Sequence, residues 1–140
     1  MNISKYAGYF HDGALYDIKH KDNKIELSLS SAEMDPEDLE EDIPLGQGDC
    51  IMGILHLEGI RKITRSKQPF LGELKMEHQN GGILDLEIDK NVVELLIEWN
   101  DYRPKRLIGV DFSTIKIEAE KIYWENKPDL VNPYWPGKPI

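Results

Sequence analysis

Hydrophobic and polar positions alternate every two residues along much of this chain. From Lys24 to Ser30, Ile25, Leu27 and Leu29 fall on one side, and Glu26, Ser28 and Ser30 on the other. Glu73 to His78 alternates in the same way. Leu84, Leu86 and Ile88 oppose Asp85, Glu87 and Asp89, and Ile115, Ile117 and Ala119 oppose Thr114, Lys116 and Glu118. Successive side chains of a strand point to opposite sheet faces, so this pattern predicts half-buried antiparallel strands. Ile51 to Leu57 and Val92 to Trp99 are apolar on both sides and read as strands covered on each face. In the last strand the alternation slips at Glu120–Lys121 and resumes with Ile122 and Trp124, which predicts a β-bulge there.

Turn chemistry separates these runs. Asp22-Asn23 predicts a hairpin between Leu15–Lys21 and Lys24–Ser30. Asn80-Gly81-Gly82 and Lys90-Asn91 predict two further reversals, making residues 72–99 a three-strand meander. The one helical signal is Asp35-Pro36, an N-cap followed by proline, with Glu37 and Asp38 at the positive end of the dipole. Its acids run on to Asp42, which predicts one or two turns before Pro44. The tail from 126 to 140 holds four prolines and is expected to pack on the body through Tyr134 and Trp135. The expected fold is all-β: a single domain over 1–140, in a mostly antiparallel sandwich or curled sheet of about eight strands with one short acidic helix.

Composition narrows the classes. At 140 residues, 40% hydrophobic and 31% charged, the chain suits one domain and neither a disordered segment nor a disulfide scaffold. Met1 to Phe10 lacks a basic start and an apolar stretch, and no run approaches ~18 apolar residues, so a cytoplasmic location and no membrane contact are expected. The net charge of −9 is unevenly spread. Residues 32–49 carry eight acids and no base, leaving 18 acids against 17 bases elsewhere. Such a surface repels phosphate backbones, so nucleic acid is not an expected partner. Within the segment, Glu37, Asp38, Glu40, Glu41 and Asp42 are the candidate contacts for a protein with a basic surface. The plainer alternative is a solvated loop, or one paired to its own Arg61, Lys62, Arg65 and Lys67.

Catalytic signatures are sparse. His11 and Asp12 form the one suggestive pair and the candidate pocket, suited to acid–base work or to two corners of a metal site if a bend brings them together. The competing reading is a turn in which Asp12 caps backbone N–H groups and Gly13 takes a permissive conformation. His11, His20, His56 and His78 lack metal-ligand spacing, so neither a metal nor a cofactor is expected. Cys50 reads as a buried, inert thiol. Trp99, Tyr102, Trp124, Tyr134 and Trp135, with Arg103, Lys105 and Arg106 nearby, form either a second interaction surface or, more simply, part of the core.

Phe10-His11-Asp12-Gly13, followed by Leu15, Ile18 and the alternating Ile25, Leu27 and Leu29, resembles the opening of small bacterial β-proteins. Some of these are assigned to toxin-neutralising immunity families encoded beside polymorphic toxins. The resemblance covers about the first thirty residues, and His11 and Asp12 match its pattern. It implies a compact, β-rich cytoplasmic domain with no established catalytic residue. Three functions follow as expectations. The first is a non-enzymatic protein-binding domain, such as an immunity-type inhibitor of a basic partner. The second is a small-molecule-binding domain or enzyme with a site near His11 and Asp12. The third is a structural, self-associating subunit whose apolar strand edge pairs with a copy of itself; the chain is expected to be a monomer or a homodimer.

Overall fold

A computed structural model describes residues 1–101 and 108–130. The expectations for Tyr102, Arg103, Lys105 and Arg106, and for Tyr134 and Trp135 of the tail, lie outside the described residues. The chain is all-β, as the alternation predicts. After a 3-10 helix (Ile3–Phe10) come β1 (Ala14–Lys21), β2 (Lys24–Ser30), one 3-10 turn (Pro36–Asp38), β3 (Met52–Arg65) and β4 (Gln68–Pro69). Strands β5 (Asn80–Asp89), β6 (Val92–Asp101) and β7 (Ile108–Asn126) complete the single antiparallel sheet. Its order is β2-β1-β5-β6-β7-β3-β4, and β2 also pairs with β3. The sheet therefore curls until it closes: β1, β2, β3, β7, β6 and β5 form a ring, with β4 a short return beside β3.

The inward face of the ring is a packed core. Leu15, Ile25, Leu27, Leu29, Leu55, Leu57, Ile83, Val93, Leu95, Ile97, Trp99 and Ile117 are all fully or almost fully buried in one cluster. Alternating side chains fill a small barrel in this way. Trp99 and Trp124 belong to this body, as the simpler reading of the aromatics has it: Trp99 is fully buried, and Trp124 meets the buried Phe10 edge-on at 5.8 Å.

The ring is sealed by very little ladder. Strands β1 and β5 pair only through Ala14–Gly82 and Leu15–Gly81. On one side of this seam, Asp12 donates to Ile83 O at 2.8 Å, Ile83 donates to Gly13 O at 2.9 Å, and the N-terminal helix packs against β5. On the other side, residues 70–79 lie across the barrel mouth. Leu74 is buried there and its N–H donates to His20 Nδ1 at 2.8 Å. Glu77 accepts from Arg65 and, at 2.7 Å, from the Ser113 hydroxyl, which in turn accepts the Trp99 indole N–H at 2.9 Å.

Several sequence expectations need correction. Glu73 to His78 forms no strand, so residues 72–99 contain the β5–β6 hairpin and not a three-strand meander. Gly81 and Gly82 lie inside β5 and do not turn the chain. Gly81 is needed because a Cβ there would stand 2.6 Å from Ile97 Cγ2 and 3.4 Å from the Trp99 ring. The inserted residue beside Glu120–Lys121 is on the partner strand. Register slips at Arg61, between Ile60 and Lys62, while Gly59 at φ +69° lets β3 bend with β7. A second bulge at Leu84 takes that residue out of line with Leu86 and Ile88. Asp35 caps as expected, its carboxylate accepting Glu37 N–H at 2.9 Å, but the helix is a single 3-10 turn.

Candidate functional site

The acidic segment leaves β2 at Ser31 and re-enters the sheet at Ile51. Backbone bonds from Ser31 N–H to Ile51 O (2.8 Å) and from Met34 N–H to Asp49 O (3.1 Å) tie its two limbs together. The Gly46–Cys50 bridge closes a tighter turn near its end. Met34 is buried beneath the segment, and Leu39 and Leu45 pack against the core. The acids are thus held on a flap with an apolar underside.

Neighbouring groups divide the five candidate acids. Glu40 pairs with Lys5 at 2.7 Å, and its backbone N–H donates to the Tyr6 hydroxyl at 3.0 Å. Glu41 accepts the hydroxyl hydrogen of Tyr6. That bond holds the Glu41 carboxyl below its usual range and raises the Tyr6 phenol. Its bond to Glu40 likewise raises the Lys5 ammonium. Glu37, Asp38 and Asp42 are exposed, as are Glu33 and Asp49, but Asp38 also faces the Tyr9 phenol, which burial and then Asp38 raise. Among the described residues, the flap's cationic anchor is Lys5 of the N-terminal helix; Arg65 pairs with Glu77, and Arg61, Lys62 and Lys67 form no ion pair with the flap. Cys50 sits buried where the flap ends, its thiol 3.5 Å from Gly48 O. Burial, then Glu33 and Asp49, pushes that thiol upward and away from the reactive thiolate.

His11 and Asp12 do meet at a bend, with Nε2 and Oδ2 at 3.7 Å. Both are largely exposed on the outside of the seam, and the other His11 ring nitrogen bonds Leu84 O. The turn uses its residues differently from expectation. Asp12 itself takes the left-handed conformation, at φ +67°. Gly13 is required by close approach, since a Cβ there would lie 2.1 Å from Ser30 O. Ile83 and Leu15 fill the barrel behind the pair.

Sequence reasoning missed a polar cluster on the outer face of β2, β3 and β7. Register places Glu26, His56 and Tyr123 side by side. His56 is buried, with Nε2 2.8 Å from Glu125 Oε1 and Nδ1 3.4 Å from Glu26 Oε1. Its ring stacks on Tyr123 at 4.7 Å, and the Tyr123 hydroxyl donates to Glu58 at 2.7 Å. The bond from His56 holds the Glu125 carboxyl below its usual range, and the bond from Tyr123 does the same for Glu58. Lys24 and Lys127 complete the cluster at the rim. With one ring face on Tyr123 and Nε2 bonded to Glu125, the imidazole ties β3 to β7, while its buried Nδ1 has no hydrogen-bond partner among the described residues. The three strands that supply these residues are far apart in sequence, so only the strand register reveals the cluster.

Among the described residues, no group of three or more His, Cys, Asp or Glu side chains is placed to hold a metal ion. No described helix is long and apolar enough to cross a membrane. No family model matches the chain, and no match was found among curated proteins or solved structures.

Proposed function

We propose that this chain is a non-enzymatic, cytoplasmic protein-binding domain that presents its acidic flap to a partner with a basic surface, in the manner of an immunity-type inhibitor. The observation that supports this reading most is the flap's preorganisation. Its limbs are bonded together, Met34 is buried, Leu39 and Leu45 pack against the core, and Lys5 and Tyr6 pin its middle, leaving Glu37, Asp38 and Asp42 exposed. Charges held in place before docking lose little conformational freedom on binding, and a clustered field speeds encounter with a basic surface. A ligand site within the sheet near His11 and Asp12 has less support, because bulky side chains occupy the interior behind them.

The test compares wild type with the triple variant Glu37→Ser, Asp38→Ser, Asp42→Ser in binding to a candidate basic partner at two salt concentrations. The expected result is at least a tenfold loss of association rate in the variant. Wild-type binding should also fall as salt rises. Equal, salt-independent binding by both proteins overturns the proposal.

A further inference from the structure

A second charged surface lies far from the flap. Where β3, β7 and β6 run side by side, a groove of about 310 Å³ opens on the outer face of the barrel. Lys62, Lys67 and Lys116 line it, with Glu94, Glu118 and two threonines. Register sets Lys62 opposite Glu118, and Lys116 opposite Glu94. Even so, none of the three lysines lies within ion-pair distance of a carboxylate among the described residues.

The molecule's own flap cannot reach this groove. The flap is anchored at Ile51, immediately before β3 begins at Met52, whereas Lys62 stands ten residues further along that strand. At ~3.3 Å per residue the flap's attachment and Lys62 stand up to roughly 30 Å apart along β3. The flap is also fastened at its middle by Lys5 and Tyr6. The acidic and lysine-rich surfaces therefore sit toward opposite ends of the β3–β7 pair, where only a second molecule can bring them together. Each copy has a net charge of −9, so the contact has to outweigh a general repulsion, but that charge is concentrated in the flap: outside residues 32–49 each chain has 18 acids against 17 bases. The approaching flap meets a nearly neutral body whose groove carries one more positive than negative side chain.

We propose that the lysine-lined groove of one copy receives the acidic flap of a second copy, in a head-to-tail contact. This inference rests on reading the flap as a docking element, and it names an occupant for the opposite face. A heterologous contact does not close on itself as a two-fold dimer does, so it builds short chains or rings. Exposed ion pairs are individually weak and screened by salt, which makes the association reversible and dependent on concentration.

The test is sedimentation equilibrium of the full chain over a hundredfold concentration range, at 50 mM and 500 mM NaCl. Wild type is expected to gain mean mass with concentration at low salt and to remain monomeric at high salt. The groove variant Lys62→Glu, Lys116→Glu and the flap variant Glu37→Lys, Asp38→Lys, Asp42→Lys should each be monomeric alone. All five positions are exposed. Mixing the two variants should restore association, because each supplies the charge the other has lost; restoration also shows that both are folded. A monomeric wild type at 50 mM NaCl, association that persists at 500 mM, or a mixture that stays monomeric overturns the proposal. If wild type is monomeric while the serine variant of the flap still loses a basic partner, self-docking falls and the flap's role in binding stands.

Discussion

Replacing Ser113 with alanine tests whether residues 70–79 are latched to the barrel through a buried polar chain. The Ser113 hydroxyl accepts the Trp99 indole N–H at 2.9 Å and donates to Glu77 at 2.7 Å, and both Ser113 and Trp99 are almost wholly buried. Alanine leaves the indole donor without its acceptor, which costs about 1–3 kcal/mol. It also removes a hydrogen bond to a carboxylate, but Arg65 still holds Glu77 and water can reach the freed oxygen, so that loss adds about 1 kcal/mol. The expected total is about 2–4 kcal/mol. For a chain of this length, at about 2.1 cal/mol/K of unfolding entropy per residue, this corresponds to a fall in Tm of roughly 7–14 °C. Urea unfolding followed by tryptophan fluorescence measures it. Trp99→Phe removes the orphaned donor, so Ser113→Ala should cost at least 1 kcal/mol less in that background than in wild type. A loss below about 0.5 kcal/mol in Ser113→Ala, or equal costs in the two backgrounds, would refute the latch.

Two further outcomes can be measured independently. Gly13→Ala should lose about 2 kcal/mol or more in urea unfolding, since its Cβ would lie 2.1 Å from Ser30 O and the clash is with backbone. Gly8→Ala, with nothing within 4 Å of the added Cβ, should change stability by less than about 0.5 kcal/mol, and equal losses would show that the Gly13 contact is misplaced. Tyr6→Phe should flatten the acid limb of stability against pH. The Tyr6 bond favours the Glu41 carboxylate in the folded state, so the unfolded chain binds more protons in the carboxylate range. That stabilisation is present above the ordinary glutamate value of about 4.3 and is lost as pH falls through the lower folded value. Glu58 and Glu125 titrate in the same direction and retain part of the slope. Unfolding free energies from pH 6 to pH 3 decide it, an unchanged slope counting against the Tyr6–Glu41 bond.

Much of the sheet was legible because period-two burial follows directly from strand geometry. Ile25, Leu27 and Leu29, and later Ile115, Ile117 and Ala119, are buried together as their alternation requires. Asp22 and Lys90, both at positive φ, reverse the chain where the turn residues indicated. The false strand at Glu73–His78 has a physical source. Leu74 is buried and Met76 packs on the core, so any extended segment lying across an apolar mouth alternates, whether or not it joins a ladder. The N-terminal helix did leave a signal. Ile3, Tyr6, Ala7 and Phe10 are its buried residues and follow helical spacing, but reading the chain for period two passes over them. His56, Glu125 and Glu26 left none, because 69 residues separate the imidazole from its hydrogen-bond partner. The acids of the flap were equally visible in sequence, but their division between Lys5, Tyr6 and solvent was not, since the partners lie more than thirty residues upstream.

The two-residue ladder between β1 and β5 also bears on how the chain assembles. The β1–β2 and β5–β6 hairpins each form from neighbours in sequence, whereas Leu15 and Gly81 must find one another across 66 residues of chain. Loop closure over that span is an entropic debt that two rungs do little to repay, so circularisation of the sheet belongs to the last stage of folding. The same junction is the natural first point of rupture, and unfolding should begin there as a zipper opens from its shortest row of teeth.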